Sequence, residues 1–194
     1  MGTVLEIEVR GLASAEADNA INAAFEEVER IESLISSWRP DSEISRINRA
    51  SAGELVEIDL EAWSLLDRCR EYHALTQGRF DVTVGPLIGV WRRAERTGLL
   101  PVSGSVAEAR GRIGMDRLDL PEETRVQASI DGLRVDLGGV GKGYAMDRAA
   151  AVLRDSGADV ALLNFGGQLL ALDPPAGMDG WPALVSEGAS DWRM

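Results

Sequence analysis

The stretch with the clearest chemical potential is Gly138-Gly139-Val140-Gly141-Lys142-Gly143, between a predicted strand and a predicted helix. A glycine-rich loop leading into a helix presents backbone N–H groups to an anion, because glycine lets the backbone approach closely. Its spacing fits neither the dinucleotide fingerprint nor the P-loop, and a turn that only packs helix on strand would explain the glycines equally well. Asp136 before the loop and Lys142, the only lysine, favour an anionic ligand, with or without a metal.

Two further segments carry polar groups that could bind a ligand. In residues 76–87, Asp81 and Thr83 share one face of a short extended piece, where both could contact a ligand. Asp81 could instead cap local backbone amides, and the residues alone favour that interpretation. Residues 37–48 combine Trp38 with polar groups on a loop, and this pattern is equally typical of a helix cap.

Several other residue types are interpreted as structural. His73 is the only histidine, which excludes a metal site built from several histidines. Cys69 is the only cysteine, so the sequence holds no internal disulfide, and it falls on an apolar helix face. Trp63 and Trp91 occupy helical positions that predict packing in the core.

Composition limits the classes of function. The 194 residues are 45% hydrophobic and 27% charged, as in a globular domain. A formal net charge of -12 repels a phosphate backbone, so we expect no nucleic-acid partner. The sequence has no apolar run long enough for a membrane span and no leader pattern, which predicts a cytoplasmic protein unless a leader was removed; in that case a periplasmic or membrane-anchored location follows.

The elements that position these residues follow from hydrophobic periodicity. Strands are predicted at residues 3–10, 55–58, 160–165, 168–172 and 181–185. Helices are predicted at residues 14–35, 43–48, 60–75, 86–97, 105–113 and 144–155. Ser42 and Asp59 are suited to cap the second and third helices.

Turn signals complete the predicted fold. Asp131-Gly132 predicts a type I′ hairpin between residues 125–130 and 133–137, and Gly166-Gly167 predicts a second tight turn. Strands joined mostly by hairpins, with helices segregated between them, indicate an α+β fold with a mixed or antiparallel sheet and packed helices. We expect one domain over residues 1–194.

Taken in order, these segments resemble the ApbE family, the FAD:protein FMN transferases. The resemblance extends over about residues 1–185 and is specific because its blocks occur together and in order. The blocks are Met1-Gly2-Thr3, residues 37–48, residues 78–91, residues 136–147, and Asn164-Phe165-Gly166-Gly167.

The resemblance implies an ApbE-like fold and an enzyme that binds FAD and uses Mg²⁺. Such an enzyme moves FMN onto a threonine hydroxyl of a target flavoprotein and releases AMP. By similarity, Trp38 lies by the flavin, Asp136 and Lys142 are the catalytic residues, and the backbone carbonyl of Gly139 is a metal ligand. The residues implied to line the FAD site are Met1, Trp38, Arg79, Phe80, Asp81, Asp136 and Lys142.

The sequence also departs from the family pattern. Family members carry, further along, a His-containing Asp-Pro-x-Thr-Gly stretch and a later Asp and Thr that hold the metal, whereas residues 1–194 contain no such stretch. Because Mg²⁺ takes octahedral oxygen coordination, we expect the remaining ligands to bind it weakly. The sequence therefore corresponds to a transferase lacking its C-terminal part, to a non-catalytic FAD-binding module, to an enzyme that hydrolyses FAD to FMN and AMP, or to a self-associating fragment.

Overall fold

The computed structural model describes residues 2–183, which form an α+β fold. Its helices are α1 (Ser14–Ile35), α2 (Glu43–Arg49), α3 (Leu60–Leu75), α4 (Gly85–Thr97), α5 (Ser103–Arg110) and α6 (Gly141–Asp155). Its strands are β1 (Leu5–Arg10), β2 (Leu55–Glu57), β3 (Leu118–Glu122), β4 (Arg125–Ala128), β5 (Val160–Phe165) and β6 (Gln168–Ala171). The predicted α+β class with antiparallel pairing is confirmed.

The chain divides into two compact units, with the boundaries inside α1 and α6. One unit comprises Val28–Ala145, and the other comprises Gly2–Glu27 together with the residues from Met146 onward. In the described part of the chain, no helix is both long and apolar enough to cross a membrane.

The unit Val28–Ala145 contains a three-stranded antiparallel sheet in the order β2-β4-β3. Val126 on the central strand is fully buried. Apolar faces of α1, α2 and α3 supply other buried residues of this unit, as the helical periodicity predicts. These buried residues include Ile31, Ile44, Leu66 and Cys69.

The other unit contains a second antiparallel sheet, in the order β1-β5-β6. Leu5 pairs with Phe165 at one end of the β1–β5 ladder, and Arg10 pairs with Val160 at the other. Ala161, Leu163 and Phe165 alternate as the buried positions of β5, which is the period of a strand with one covered face.

Local signals at the helix ends agree with the sequence. The Ser42 hydroxyl accepts a hydrogen bond from the Ser45 N–H at 3.0 Å, and the Asp59 carboxylate accepts one from the Glu61 N–H at 2.7 Å. Both contacts satisfy amides that a helix start leaves free. Gly98 follows α4 in the left-handed conformation, a common way to end a helix.

The predicted hairpin around Asp131-Gly132 is wrong. β4 pairs with β2 on one side and with β3 on the other, so both of its edges are taken before the chain reaches Gly132. Gly132 does adopt the positive φ of a turn, at 78°, but the following residues join a different neighbour. A local turn signal fixes the reversal of the chain and cannot choose among partners that are distant in sequence.

Two other expectations need correction. Trp91 does not pack in the core, because 53% of it is exposed, and α4 buries none of its residues. The strand predicted at 181–185 is absent over 181–183, and its remaining residues lie outside the described part of the chain.

Candidate functional site

Two of the predicted segments meet side by side in the unit Val28–Ala145. Val84 forms an isolated parallel bridge with Arg134, and the Asp136 N–H donates to the Val82 carbonyl at 2.7 Å. Gly85 makes this approach possible, because a Cβ atom there would lie 2.6 Å from the Arg134 carbonyl oxygen. The pairing places the segment of Asp81 beside the segment of Asp136.

Asn48 fixes the same segment from α2. Its side-chain amide donates to the Val135 carbonyl at 2.8 Å, and its side-chain oxygen accepts from the Val135 N–H at 2.7 Å. Both backbone groups of Val135 are therefore satisfied by one side chain. This double contact ties the residue before Asp136 to a helix far away in sequence.

Asp136 stands at the entrance of the glycine-rich loop with only 10% of its side chain exposed. Its Oδ1 accepts a hydrogen bond from the Gly138 N–H at 2.9 Å, and its Oδ2 lies 3.6 Å from a guanidinium nitrogen of Arg92. A Cβ atom at position 138 would also lie 2.9 Å from Oδ1, so a larger residue there would displace this carboxylate. The carboxylate is held between a backbone amide and a cation.

The loop itself turns tightly into α6. The N–H groups of Val140 and Gly141 both donate to the Leu137 carbonyl, at 3.0 and 2.7 Å. The helix thus begins at Gly141, three residues earlier than the sequence predicted. Lys142 is half-buried in its first turn and has no ion-pair partner among residues 2–183. Because the N-terminal end of a helix is also positive, an ammonium group there that is not paired with a carboxylate is suited to bind an anionic ligand.

Asp81 lies in a hydrogen-bond network. Its Oδ1 accepts from the Thr83 N–H at 2.7 Å and from the Thr83 hydroxyl at 2.6 Å. The fully buried Thr83 hydroxyl also accepts from the Gly114 N–H at 2.8 Å. The local capping contact that the sequence allowed is present, and the other carboxylate oxygen lies 3.6 Å from the His73 ring.

The residues before Asp81 are supported by α3. The His73 Nδ1 atom lies 2.9 Å from the Phe80 carbonyl oxygen, which places the ring proton on Nδ1 because a carbonyl only accepts. The Phe80 ring meets Tyr72 edge-on at 6.1 Å between centroids, and it lies 3.5 Å from the position of a Cβ atom on Gly139. Arg79 is exposed.

Trp38 is 70% exposed, an unusual state for a large aromatic residue. The Arg92 guanidinium carbon lies 4.1 Å from the centroid of its ring, a cation–π contact. Since Arg92 also approaches Asp136, one arginine connects the exposed indole to the carboxylate at the glycine-rich loop.

The described residues offer few ligands for the magnesium ion implied by the resemblance. Among residues 2–183, no three His, Cys, Asp or Glu side chains come together as a metal site. The carboxylate nearest to Gly139 in sequence is that of Asp136, and it faces Arg92, whose charge opposes a cation there. The described residues therefore do not by themselves fit Mg²⁺, which takes six oxygen ligands.

Comparison with known proteins decides the family. The ApbE family model matches residues 1–189. The chain belongs to the ApbE family. The FAD:protein FMN transferase of Klebsiella pneumoniae is 28% identical over 176 residues, which cover 88% of this chain and 50% of that protein. The transferase of Chlamydia pneumoniae is 30% identical over 148 residues, covering 76% of this chain and 45% of that one.

Solved ApbE structures share the fold. The ApbE protein from Thermotoga maritima superposes with a TM-score of 0.80 at 28% identity, over 91% of this chain and 58% of that chain. The flavin transferase ApbE from Vibrio cholerae gives 0.75 at 26% identity, over 89% and 56%. The chain spans about half the length of the curated relatives it matches.

The site residues predicted from the sequence are placed as follows. Trp38 and Asp136 are joined through Arg92, and the Asp81 segment runs beside the Asp136 segment. Met1 lies outside the described residues. Arg92 was not selected from the sequence, because nothing local distinguishes it from the neighbouring Arg93.

Proposed function

We propose that this ApbE family chain binds FAD and belongs to an enzyme that transfers FMN to a threonine hydroxyl of a target flavoprotein, with release of AMP. The family match over residues 1–189 is the observation that carries the proposal. The grouping of Trp38, Asp81 and Asp136 in the unit Val28–Ala145 supports it, because flavin and diphosphate recognition need an aromatic ring close to polar groups.

The proposed reaction replaces a phosphoanhydride bond of FAD by a phosphoester bond to threonine. The threonine hydroxyl oxygen forms a bond to the phosphorus of the FMN half, and the phosphoanhydride P–O bond breaks. AMP leaves with the bonding electron pair, and the hydroxyl proton passes to a base. Such transfer depends mainly on positioning and on neutralising the charge of the phosphoryl oxygens.

We assign the charge-neutralising role to Lys142 and the role at the reacting phosphate to Asp136. Lys142 lies in the first turn of α6 without an ion-pair partner in the described part of the chain, so its charge is available to an anion. Asp136 is the nearly buried carboxylate at the same loop and is the candidate to accept the hydroxyl proton. Arg79, Phe80 and Asp81 line the proposed flavin site, and Met1 is assigned to it by similarity alone.

A Gly139 carbonyl would supply one ligand of the family's metal ion, whose contribution is to neutralise phosphoryl charge. No step is derived through the metal, because the described residues do not complete its coordination. That same observation favours a second candidate function, an FAD-binding module without transfer activity.

The first experiment is an FAD titration of the purified chain by flavin fluorescence, with and without Mg²⁺. Saturable binding is expected, and no binding at any accessible concentration would refute the proposal for this chain. The matched pair is Asp136→Ala and Asp119→Ala, since Asp119 is an exposed carboxylate on β3. We expect the first variant to abolish binding with the fold retained, and the second to bind as the unsubstituted chain does.

Chromatography of the reaction mixture then separates the activities. The flavin-free form of a flavoprotein that naturally carries FMN on threonine serves as acceptor. Covalent FMN with an equal amount of AMP indicates transfer, whereas free FMN with AMP indicates hydrolysis. FAD that binds and stays intact identifies the non-catalytic module.

A further inference from the structure

We propose that Arg92 is a positioning residue that holds the Trp38 ring in place for stacking on the flavin, an inference that rests on the proposed function. Arg92 belongs to none of the blocks of polar residues that the sequence singled out as ligand-binding. Its assignment comes from two contacts, the Trp38 ring 4.1 Å from the guanidinium carbon and the Asp136 carboxylate 3.6 Å from a guanidinium nitrogen.

The backbone of Trp38 is already fixed. The Ser42 hydroxyl donates to the Ser36 carbonyl at 2.6 Å, and the Trp38 N–H donates to the Ser36 hydroxyl at 3.3 Å. The indole beyond this backbone is 70% exposed, so little packing restricts its side-chain rotation. The contact with Arg92 is therefore the main restraint on the orientation of the indole ring.

Arg92 is suited to this role because its guanidinium is planar and stacks on aromatic faces. Asp136 restrains the guanidinium through the 3.6 Å contact, and Asp136 itself is held by the Gly138 N–H at 2.9 Å. The order of support runs from the glycine-rich loop through Asp136 and Arg92 to Trp38. With one face of the indole covered by the guanidinium, its exposed surface is available to a second flat ring.

A ring that is already oriented binds more tightly than one that must be ordered on binding. Immobilising one side chain costs enough to weaken binding about two- to tenfold. The isoalloxazine ring is common to riboflavin, FMN and FAD, so a stacking role affects all three equally. A direct contact between Arg92 and the diphosphate would affect FAD most and riboflavin not at all.

The test compares dissociation constants of riboflavin, FMN and FAD for Arg92→Leu and Arg92→Lys. Leucine keeps the apolar stem and helix propensity, and lysine keeps the charge without the planar group. We expect both variants to weaken all three flavins by the same factor, about two- to tenfold. Arg93→Leu, at the exposed neighbouring position, is the control and should change none of them.

A double-mutant cycle with Trp38→Ala tests the connection between the two residues. We expect Arg92→Leu to have no further effect on flavin binding in the Trp38→Ala background. A loss confined to FAD, full rescue by lysine, or an undiminished effect in that background would each overturn the positioning role.

A ligand-free measurement separates this inference from the proposed function. The Trp38 contribution to fluorescence anisotropy decay is obtained by difference from a Trp38→Phe variant. Arg92→Leu should increase the fast motion of Trp38, and unchanged motion would overturn the inference whatever the flavin data show. If the unsubstituted chain binds none of the three flavins, the proposed function fails, and the role of Arg92 toward flavin fails with it. Ordering of Trp38 by Arg92 would then still be decided by the anisotropy.

Discussion

Replacement of Asn48 by alanine is expected to destabilise the unit Val28–Ala145. The substitution removes both hydrogen bonds to Val135, at 2.7 and 2.8 Å. Val135 is buried, so each of its two backbone groups then lacks a partner away from water, and each such unsatisfied group costs about 1–3 kcal/mol. Alanine recovers about 0.5 kcal/mol of helix propensity within α2. The expected net loss in the free energy of unfolding is about 1.5–5.5 kcal/mol.

Native-state amide hydrogen exchange measures this loss locally, which suits a chain with two compact units. The Val135 amide should exchange about 12-fold faster or more in Asn48→Ala, as about 1.5 kcal/mol requires. Asn22→Ala is the matched control, because it replaces asparagine by alanine at an exposed position of a helix. Its effect should be neutral to slightly stabilising.

The reasoning would be refuted by a loss below about 0.5 kcal/mol, the usual range of an inconsequential surface substitution. Asn48→Asp adds a second discriminating result. The aspartate keeps an acceptor for the Val135 N–H and faces the Val135 carbonyl with a second acceptor. It should therefore remain clearly less stable than the unsubstituted chain.

Three further predictions concern stability. Thr83→Val should cost about 1–3 kcal/mol because it leaves the Gly114 N–H without its acceptor, and Thr83→Ser should restore most of the loss in urea denaturation. Gly85→Ala should cost about 1–3 kcal/mol or abolish folding, since its Cβ would lie 2.6 Å from the Arg134 carbonyl oxygen; a neutral result in thermal unfolding would contradict the close approach. Burial raises the pKa of the Cys69 thiol from 9.0 to about 12. The unfolded chain therefore loses this proton first, and stability should fall above about pH 9 by up to about 1.4 kcal/mol per pH unit relative to Cys69→Ala, whereas parallel urea curves for the two proteins from pH 8 to 11 would exclude the effect.

Long periodic segments were the most predictable part of the fold. α1 begins at Ser14 and ends at Ile35 as its apolar spacing predicts, because a helix of this length carries the signal many times over. The prediction failed where a segment had to pair with one of several segments that are distant in sequence. Residues 133–137 carry a hairpin signal, yet they align with Val82 and Val84, and no local pattern encodes that preference.

The site shows the same division. Asp136 and Lys142 were selected from the sequence because they flank the glycine-rich loop, whereas Asp81 was assigned to the FAD site only through the family resemblance. Arg92 was missed because its partners, Trp38 and Asp136, lie far from it on either side in the chain. The placement of each residue in the proposed FAD site remains a prediction for the titrations above.

The buried state of Cys69 makes this protein convenient for site-directed labelling. A fully buried thiol that stays protonated reacts slowly with maleimides, because the thiolate is the reactive form. A new cysteine placed at an exposed position is thus the preferred target in the native protein, with the natural one retained. Fluorophores or spin labels attached beside Trp38 would then report on the motion of the loop that carries this residue. Slow labelling of Cys69 itself would measure transient opening of the core.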